Sequence, residues 1–168
     1  MMKRIAVLLI ALALMLPLAA FALEPGDEVP DFEVLLTDDS TLKLSDCSGR
    51  IVIVDLWASW CPPCVNYSMP ALDMIARDYP DDVTVISVNC GETSETVKLF
   101  ADLNGYGLFI AIDEEINILS NYFPTNGIPY CVFIDRGGRL YNSVKGANDG
   151  IYDTYKALIE EIDAAEND

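Results

Sequence analysis

Apolar residues in this chain fall either into short unbroken runs or into stretches at helical spacing, and the order of the two kinds predicts an α/β architecture. Ile51-Val52-Ile53-Val54-Asp55-Leu56-Trp57 is almost continuous in β-branched and apolar side chains, the pattern of a central strand covered on both faces. Val83 to Asn89 repeats that pattern. Between them, Met69, Leu72, Ile75 and Ala76 recur at helical spacing within Pro63 to Tyr79, so the three segments read as a βαβ unit with parallel strands. Ahead of this unit, Phe32 to Leu36 and Thr41 to Leu44 flank the polar cluster Thr37-Asp38-Asp39-Ser40, which predicts a hairpin. After it come a helix capped by Thr93 or Ser94 and running to about Leu103, a strand at Leu108 to Ile112, and helical turns over Glu115 to Phe123. Tyr130 to Asp135 and Arg139 to Lys145, joined by Arg136-Gly137-Gly138, predict an antiparallel hairpin. Tyr155, Leu158, Ile159 and Ile162 share one side of a closing helix from about Gly150 to Ala165. The sum is one domain over residues 24–168, a mixed sheet with helices on both faces.

Before the domain, Lys3 and Arg4 precede an apolar run from Ile5 to Leu23 that carries Pro17 and reaches Ala20-Phe21-Ala22, a small-x-small triplet. That is the layout of a secretory signal, so residues 1–22 are expected to be cleaved off after Ala22. The run Ile5–Leu23 is also long enough to cross a bilayer as an uncleaved tether. It has no polar face, which excludes an amphipathic helix lying on the domain. Export puts the domain in the periplasm or on the outer face of the membrane, where cysteines pair unless something keeps them reduced.

Composition narrows the chemistry. The 168 residues include no histidine, which excludes Ser-His-Asp and Cys-His hydrolases, His-ligated zinc and covalent c-type haem attachment. Lys and Arg number 10 against 27 Asp and Glu, a formal net charge of −17. So few cations cannot displace counterions from a phosphate backbone, which argues against nucleic acid as a partner. Cysteine, carboxylate and backbone chemistry remain. The five cysteines are an odd number, so at least one is unpaired or used in exchange.

Trp60-Cys61-Pro62-Pro63-Cys64 is the most informative stretch. Two cysteines three apart, where a buried strand turns into a helix, share one face of the first helical turn and can close a disulfide there. Pro62 and Pro63 can start that helix because its first turn has no use for their missing N–H groups. Cys61 then sits at the helix N-terminus, where free N–H groups and the macrodipole favour a thiolate. Lowering a thiol pKa from about 8.5 to about 7 raises the thiolate fraction at neutral pH from a few per cent to about half. Cys61 is therefore the expected nucleophile and Cys64 the resolving thiol. A zinc half-site and an inert disulfide are the other readings of such a pair; Cys47, Cys90 and Cys131 are scattered and offer no second C-x-x-C, so no metal site is expected. Asp55, set among Ile53, Val54 and Leu56, should have its pKa raised by desolvation and could take the proton of Cys64. Cys131 and Cys90 lie at one edge of the sheet and can form a second pair, or be small buried residues.

Val29-Pro30-Asp31-Phe32, the run Val54 to Cys64, and Gly127-Ile128-Pro129 together resemble the thioredoxin superfamily, and within it the exported branch that includes TlpA, ResA and CcmG proteins. The resemblance extends from Pro25 to the C-terminus. It implies a thioredoxin-like mixed sheet flanked by helices, with an N-terminal β-hairpin and a central αβ insertion at about Glu92 to Phe123. Pro129 matches the family's cis-proline facing the dithiol, and Asp55 its buried carboxylate. Ile128 would pair with an extended client segment beside the sulfurs, while Trp60, Pro62 and Pro63 shape the docking surface. No cofactor is implied beyond the redox-active disulfide Cys61–Cys64. The implied partners are client proteins bearing disulfides, apocytochromes awaiting haem among them, and a membrane thiol carrier as electron donor. Peroxiredoxins share the leading hairpin but carry a single peroxidatic cysteine in a Pro-x-x-x-Thr-x-x-Cys setting, which this chain lacks. One departure stands out. The exported branch often has glutamate three residues after the second cysteine and a helix proline five after it; here Tyr67 holds the first place and Pro70 comes at six. A π-bulge or a shifted kink would absorb the extra residue.

The reading is an extracytoplasmic thiol–disulfide oxidoreductase that reduces client disulfides. Pro62-Pro63 brings no cation or donor to a thiolate, and Asp55 opposes one, both of which favour a reductant within the roughly −270 to −120 mV span of such dithiols. Two alternatives carry different consequences: a dithiol oxidase or isomerase, and a non-catalytic module whose thiolates hold copper or staple a docking surface.

Overall fold

The computed structural model describes residues 23–166, and the expected signal or tether therefore lies outside the described residues apart from Leu23. Among the described residues no helix is long and apolar enough to cross a membrane.

Seven strands form one mixed sheet in the order β2-β1-β5-β4-β3-β6-β7. The leading hairpin pairs β1 (Glu33–Leu36) with β2 (Thr41–Lys43), and a short 3₁₀ turn, Leu44–Cys47, follows. At the centre, β3 (Ile51–Trp57) runs parallel to β4 (Val83–Cys90) and antiparallel to β6 (Tyr130–Ile134). β5 (Phe109–Asp113) lies parallel to β4, and β7 (Leu140–Lys145) closes the far edge against β6. Every residue of β3 is buried, as its unbroken apolar run requires.

Alternation along β3 divides the core into two layers. Ile51, Ile53 and Trp57 face one, with helix α1 (Met69–Asp78), helix α2 (Ser94–Asn104) and helix α4 (Ile151–Glu166) packed over them. Trp57 meets Phe100 of α2 at 4.6 Å between ring centroids, and Phe133 meets Tyr155 of α4 at 5.6 Å. Val52, Val54 and Leu56 face the other layer, closed by the leading hairpin and the short helix α3 (Asn117–Asn121). Burying a side chain of this size contributes about 1.5–3 kcal/mol, so these layers supply most of the drive to fold.

The segment between β3 and β4 departs from a regular helix where the spacing of Pro70 suggested. Helical residues begin at Pro62, then Cys64–Ser68 widens into a π-helical turn before α1 continues. Met69 N–H donates to the Cys64 carbonyl, five residues back. Pro70 has no N–H to give, and in a regular α-helix its ring would press on the carbonyl four residues earlier; the widened turn accommodates it. Thr93 caps α2 by accepting from Thr96 N–H, and Gly105, at φ 62°, ends it. α2, β5 and α3 occupy the place expected for the central insertion.

Candidate active site

Cys61 and Cys64 stand at the end of β3 and the start of the helix, joined as a disulfide with Cα atoms 5.3 Å apart. Cys64 is fully buried and Cys61 only 4% exposed, which leaves Cys61 as the sulfur a client can approach. Cys64 N–H points at Cys61 Sγ from 3.3 Å, and the N–H groups of Cys64 and Val65 also donate to the Cys61 carbonyl. A donor aimed at Cys61 Sγ from the first turn favours its thiolate once the disulfide opens. Around the pair, Pro62 and Pro63 are exposed and Trp60 is 68% exposed, while Trp57 is fully buried in the core.

Antiparallel pairing brings the other site element to the same end of the sheet. Leu56 pairs with Tyr130, so Ile128 and Pro129 come just beyond the end of β3, beside the turn that carries the cysteines. The Ile128–Pro129 peptide is cis, as the resemblance implied. Pro129 is buried and Ile128 half-buried.

Beneath the dithiol, Asp55 is completely buried on the helix-covered face. Its strand neighbours place Ser87 of β4 on one side and Cys131 of β6 on the other. Ser87 Oγ donates to Asp55 Oδ2 at 2.8 Å; Cys131 Sγ and Ser68 Oγ donate to Oδ1 at 3.1 and 3.3 Å. The Tyr155 hydroxyl is 2.9 Å from both Ser68 Oγ and Cys131 Sγ. Burial pushes the Asp55 carboxyl above its ordinary range, against the opposing pull of the three donors. Ser68 owes its position to the π-helical turn, of which it is the last residue.

A second carboxylate holds the loop before Cys61. Gly91, at φ 86°, turns the chain back after β4, and Glu92 then accepts from Ser59 N–H at 2.7 Å, Ser59 Oγ at 2.5 Å and Asn89 Nδ2 at 2.7 Å. Burial tends to raise the Glu92 carboxyl, but the hydrogen bonds from Asn89 and Ser59 outweigh it and hold it below the usual range. From sequence, Glu92, Ser68 and Ser87 carried no site role, and Tyr155 was placed only on the apolar face of the closing helix. Ser87, a small hydroxyl level with Asp55 in an otherwise mostly apolar strand, was the one signal available.

The suggested second thiol pair is not formed. Cys90 and Cys131 are both free. β3 lies between their strands, and the two side chains leave the sheet on opposite faces, Cys131 toward the helices and Cys90 toward the hairpin layer. Cys131 is fully buried, as the other reading held, and Cys90 is half-buried. Among the described residues no group of three or more cysteine or carboxylate side chains is placed to hold a metal ion.

Comparison with known proteins decides the family. A model of the AhpC/TSA family matches residues 25–143. The chain belongs to that family. Within it, the paired cysteines and the relatives place it on the TlpA/ResA/CcmG-like side. It is 32% identical over 114 residues to the thioredoxin-like protein YneN of Bacillus subtilis, a match covering 63% of this chain and 65% of YneN. Against the thiol-disulfide oxidoreductase ResA of Bacillus thuringiensis it is 29% identical, covering 72% of this chain and 69% of ResA. The alignments thus span about two thirds of these relatives. A DsbE-type thiol:disulfide interchange protein from Chlorobium tepidum superposes with a TM-score of 0.78 at 26% identity, covering 84% of this chain and 99% of that one. The exposed lipoprotein thioredoxin Etrx1 of Streptococcus pneumoniae superposes with a TM-score of 0.69 at 32% identity, covering 79% and 99%. The fold is thioredoxin-like, and the arrangement is that of a thioredoxin-type thiol–disulfide oxidoreductase built on the Cys61–Cys64 disulfide.

Proposed function

We propose that this protein works outside the cytoplasm as a reductant of disulfides in selected client proteins. The observation that carries the reading is a closable, nearly buried Cys61–Cys64 pair with a fully buried carboxyl group, Asp55, on the same face of β3's end. In the reduced protein, the Cys61 thiolate attacks one client sulfur, and the other client sulfur leaves as a thiolate. Cys64 then gives its proton to Asp55 and attacks Cys61 Sγ. The Cys61–Cys64 disulfide forms, the bond from Cys61 to the client sulfur it attacked breaks, and that sulfur departs as a thiolate, so the client gains the two electrons the dithiol loses. Trp60, Pro62, Pro63 and Ile128 form the surface on which an extended client segment docks.

The reducing direction is supported by Pro62-Pro63, which offers a thiolate neither charge nor donor, and by the buried Asp55, which opposes one. Export is supported by Lys3-Arg4, the apolar run Ile5–Leu23 and the triplet ending at Ala22. A membrane thiol carrier as electron donor, and apocytochromes among the clients, follow from the resemblance to the exported branch.

The test is Cys64→Ser in cells. Without its resolving partner, Cys61 accumulates mixed disulfides, and the trapped proteins identify clients and donor together. An exported variant that traps nothing ends the enzymatic reading. Redox equilibrium of the intact protein with glutathione then fixes the direction, a strongly oxidising potential replacing the reductase by an oxidase or isomerase. Failure to reduce insulin with a thiol donor, together with stoichiometric copper uptake, would install the binding module instead.

A further inference from the structure

The proposed cycle asks a fully buried carboxyl group to change its charge, and the groups around Asp55 are arranged for that. Asp55 Oδ1, Ser68 Oγ, Tyr155 OH and Cys131 Sγ follow one another at 3.3, 2.9, 2.9 and 3.1 Å, closing a four-group ring, while Ser87 binds the other carboxyl oxygen from outside it. Asp55, Ser68, Tyr155 and Cys131 are each completely buried. We propose that Ser68, Tyr155 and Cys131 are positioning residues for the Asp55 proton, turning their own hydrogens around this ring so that each buried donor keeps an acceptor whether Asp55 is charged or neutral. The part this ring plays in the redox cycle rests on Asp55 being the proton acceptor of Cys64.

The hydrogen inventory shows how. With Asp55 charged, Ser68 and Cys131 both donate to Oδ1, and Tyr155 donates to one of them. With Asp55 protonated, its O–H donates to Ser68 Oγ, Ser68 to Tyr155, Tyr155 to Cys131, and Cys131 back to Oδ1. One proton enters, hydrogens turn about C–O and C–S bonds, and no donor is stranded in the core. Burial pushes the Cys131 thiol and the Tyr155 phenol upward, so both keep their hydrogens and serve as relays rather than as competing acids. The titratable groups facing Asp55 are Cys131 from β6 and Tyr155 from α4, with Cys90 of β4 in electrostatic reach and pushed up to about 12, chiefly by burial. Reduction adds the thiols of Cys61 and Cys64.

The ring is tested by infrared titration of the oxidised full-length protein, following the carboxylic C=O band that disappears in Asp55→Asn. Cys131→Ala removes a donor to the charged form and raises the midpoint by about one pH unit. Cys131→Ser, which keeps a donor, restores it. Tyr155→Phe removes the nearer of the two acceptors open to Ser68 when Asp55 is protonated, leaving only Cys131 Sγ at 3.5 Å, and lowers the midpoint by a smaller amount; its near-identical shape preserves the fold, which thermal unfolding verifies. Midpoints that stay put, or that move the same way in Cys131→Ala and Tyr155→Phe, overturn the ring. The role of Asp55 is read separately, from the pH dependence of single-turnover reduction of a peptide disulfide. If the infrared midpoints shift as expected while that rate profile does not follow, the ring stands and Asp55 is not the acceptor.

Discussion

Asp55 and Glu92 are two carboxylates at one redox site, each accepting three hydrogen bonds, yet their proton affinities move in opposite directions. The difference is solvent. Asp55 is sealed between the central strand and the helices, where desolvation outweighs all three donors. Glu92 lies at the rim of the site, partly open, and there its donors win. The buried group is thereby set up to take a proton, the rim group to remain charged and hold the Ser59 loop. The number of hydrogen bonds does not assign these roles; depth does.

A carboxylate that has burial and no donors should be far costlier than either. Val54 precedes Asp55 on β3 and is equally buried, but it faces the apolar hairpin layer with Val52, Leu56 and Val88. Val54→Asp is expected to cost about 5 kcal/mol or more, enough to unfold most domains of this size. Circular dichroism or soluble yield checks it. A folded Val54→Asp protein would mean that depth alone does not govern the penalty.

Asp55→Asn comes next and acts through pH. The folded pKa of Asp55 lies above its unfolded value of about 4, so the folded state holds this proton more tightly. The stability it contributes is complete below about pH 4 and is lost as pH rises through the folded pKa. Asparagine does not titrate, so the variant should gain on the wild type across that window and keep a constant lead above it. Denaturant unfolding at a series of pH values measures this, and a difference that shrinks as pH rises would contradict the burial. The same substitution should slow client reduction by about a hundredfold through loss of the acceptor for Cys64.

Much of the architecture was readable because the chain is locally consistent. Unbroken runs marked β3 and β4 to within a residue, Thr93 marked the start of α2, and Pro70 coming one place late pointed to the π-helical turn at Cys64–Ser68. The Cys-x-x-Cys pair was equally plain. What stayed hidden depended on register. Asp55 lies level with Ser87 and Cys131, so Cys90, three residues beyond Ser87, points to the opposite face. That offset removes the second thiol pair, and no pattern within a single strand records it. Ser68 and Tyr155 were hidden for a related reason: helical spacing marks an apolar face and no more, and only packing of the two helices onto β3 brings Ser68 Oγ to Asp55 Oδ1 and the Tyr155 hydroxyl to Ser68 Oγ. Glu92 depends on a turn at Gly91 and a partner 33 residues away.

Glu92 is the mildest of these sites, and its pH dependence has the opposite sign. Glu92→Gln keeps the size of the side chain but loses the charge that three donors address, which should cost about 1–2 kcal/mol. Because the folded pKa of Glu92 lies below its unfolded value of about 4, its contribution is present above that value and lost as pH falls through the folded one. The gap between wild type and Glu92→Gln should therefore close on acidification, whereas the lead of Asp55→Asn over wild type closes there because the buried carboxyl has recovered its proton: one variant is weaker than wild type at neutral pH, the other stronger. Activity separates them further. Glu92 touches the loop and not the sulfurs, so its loss should loosen Ser59 and Trp60 and raise KM a few-fold while leaving the pH profile of kcat in place, and a shifted profile would show that the rim carboxylate acts on the cysteines directly.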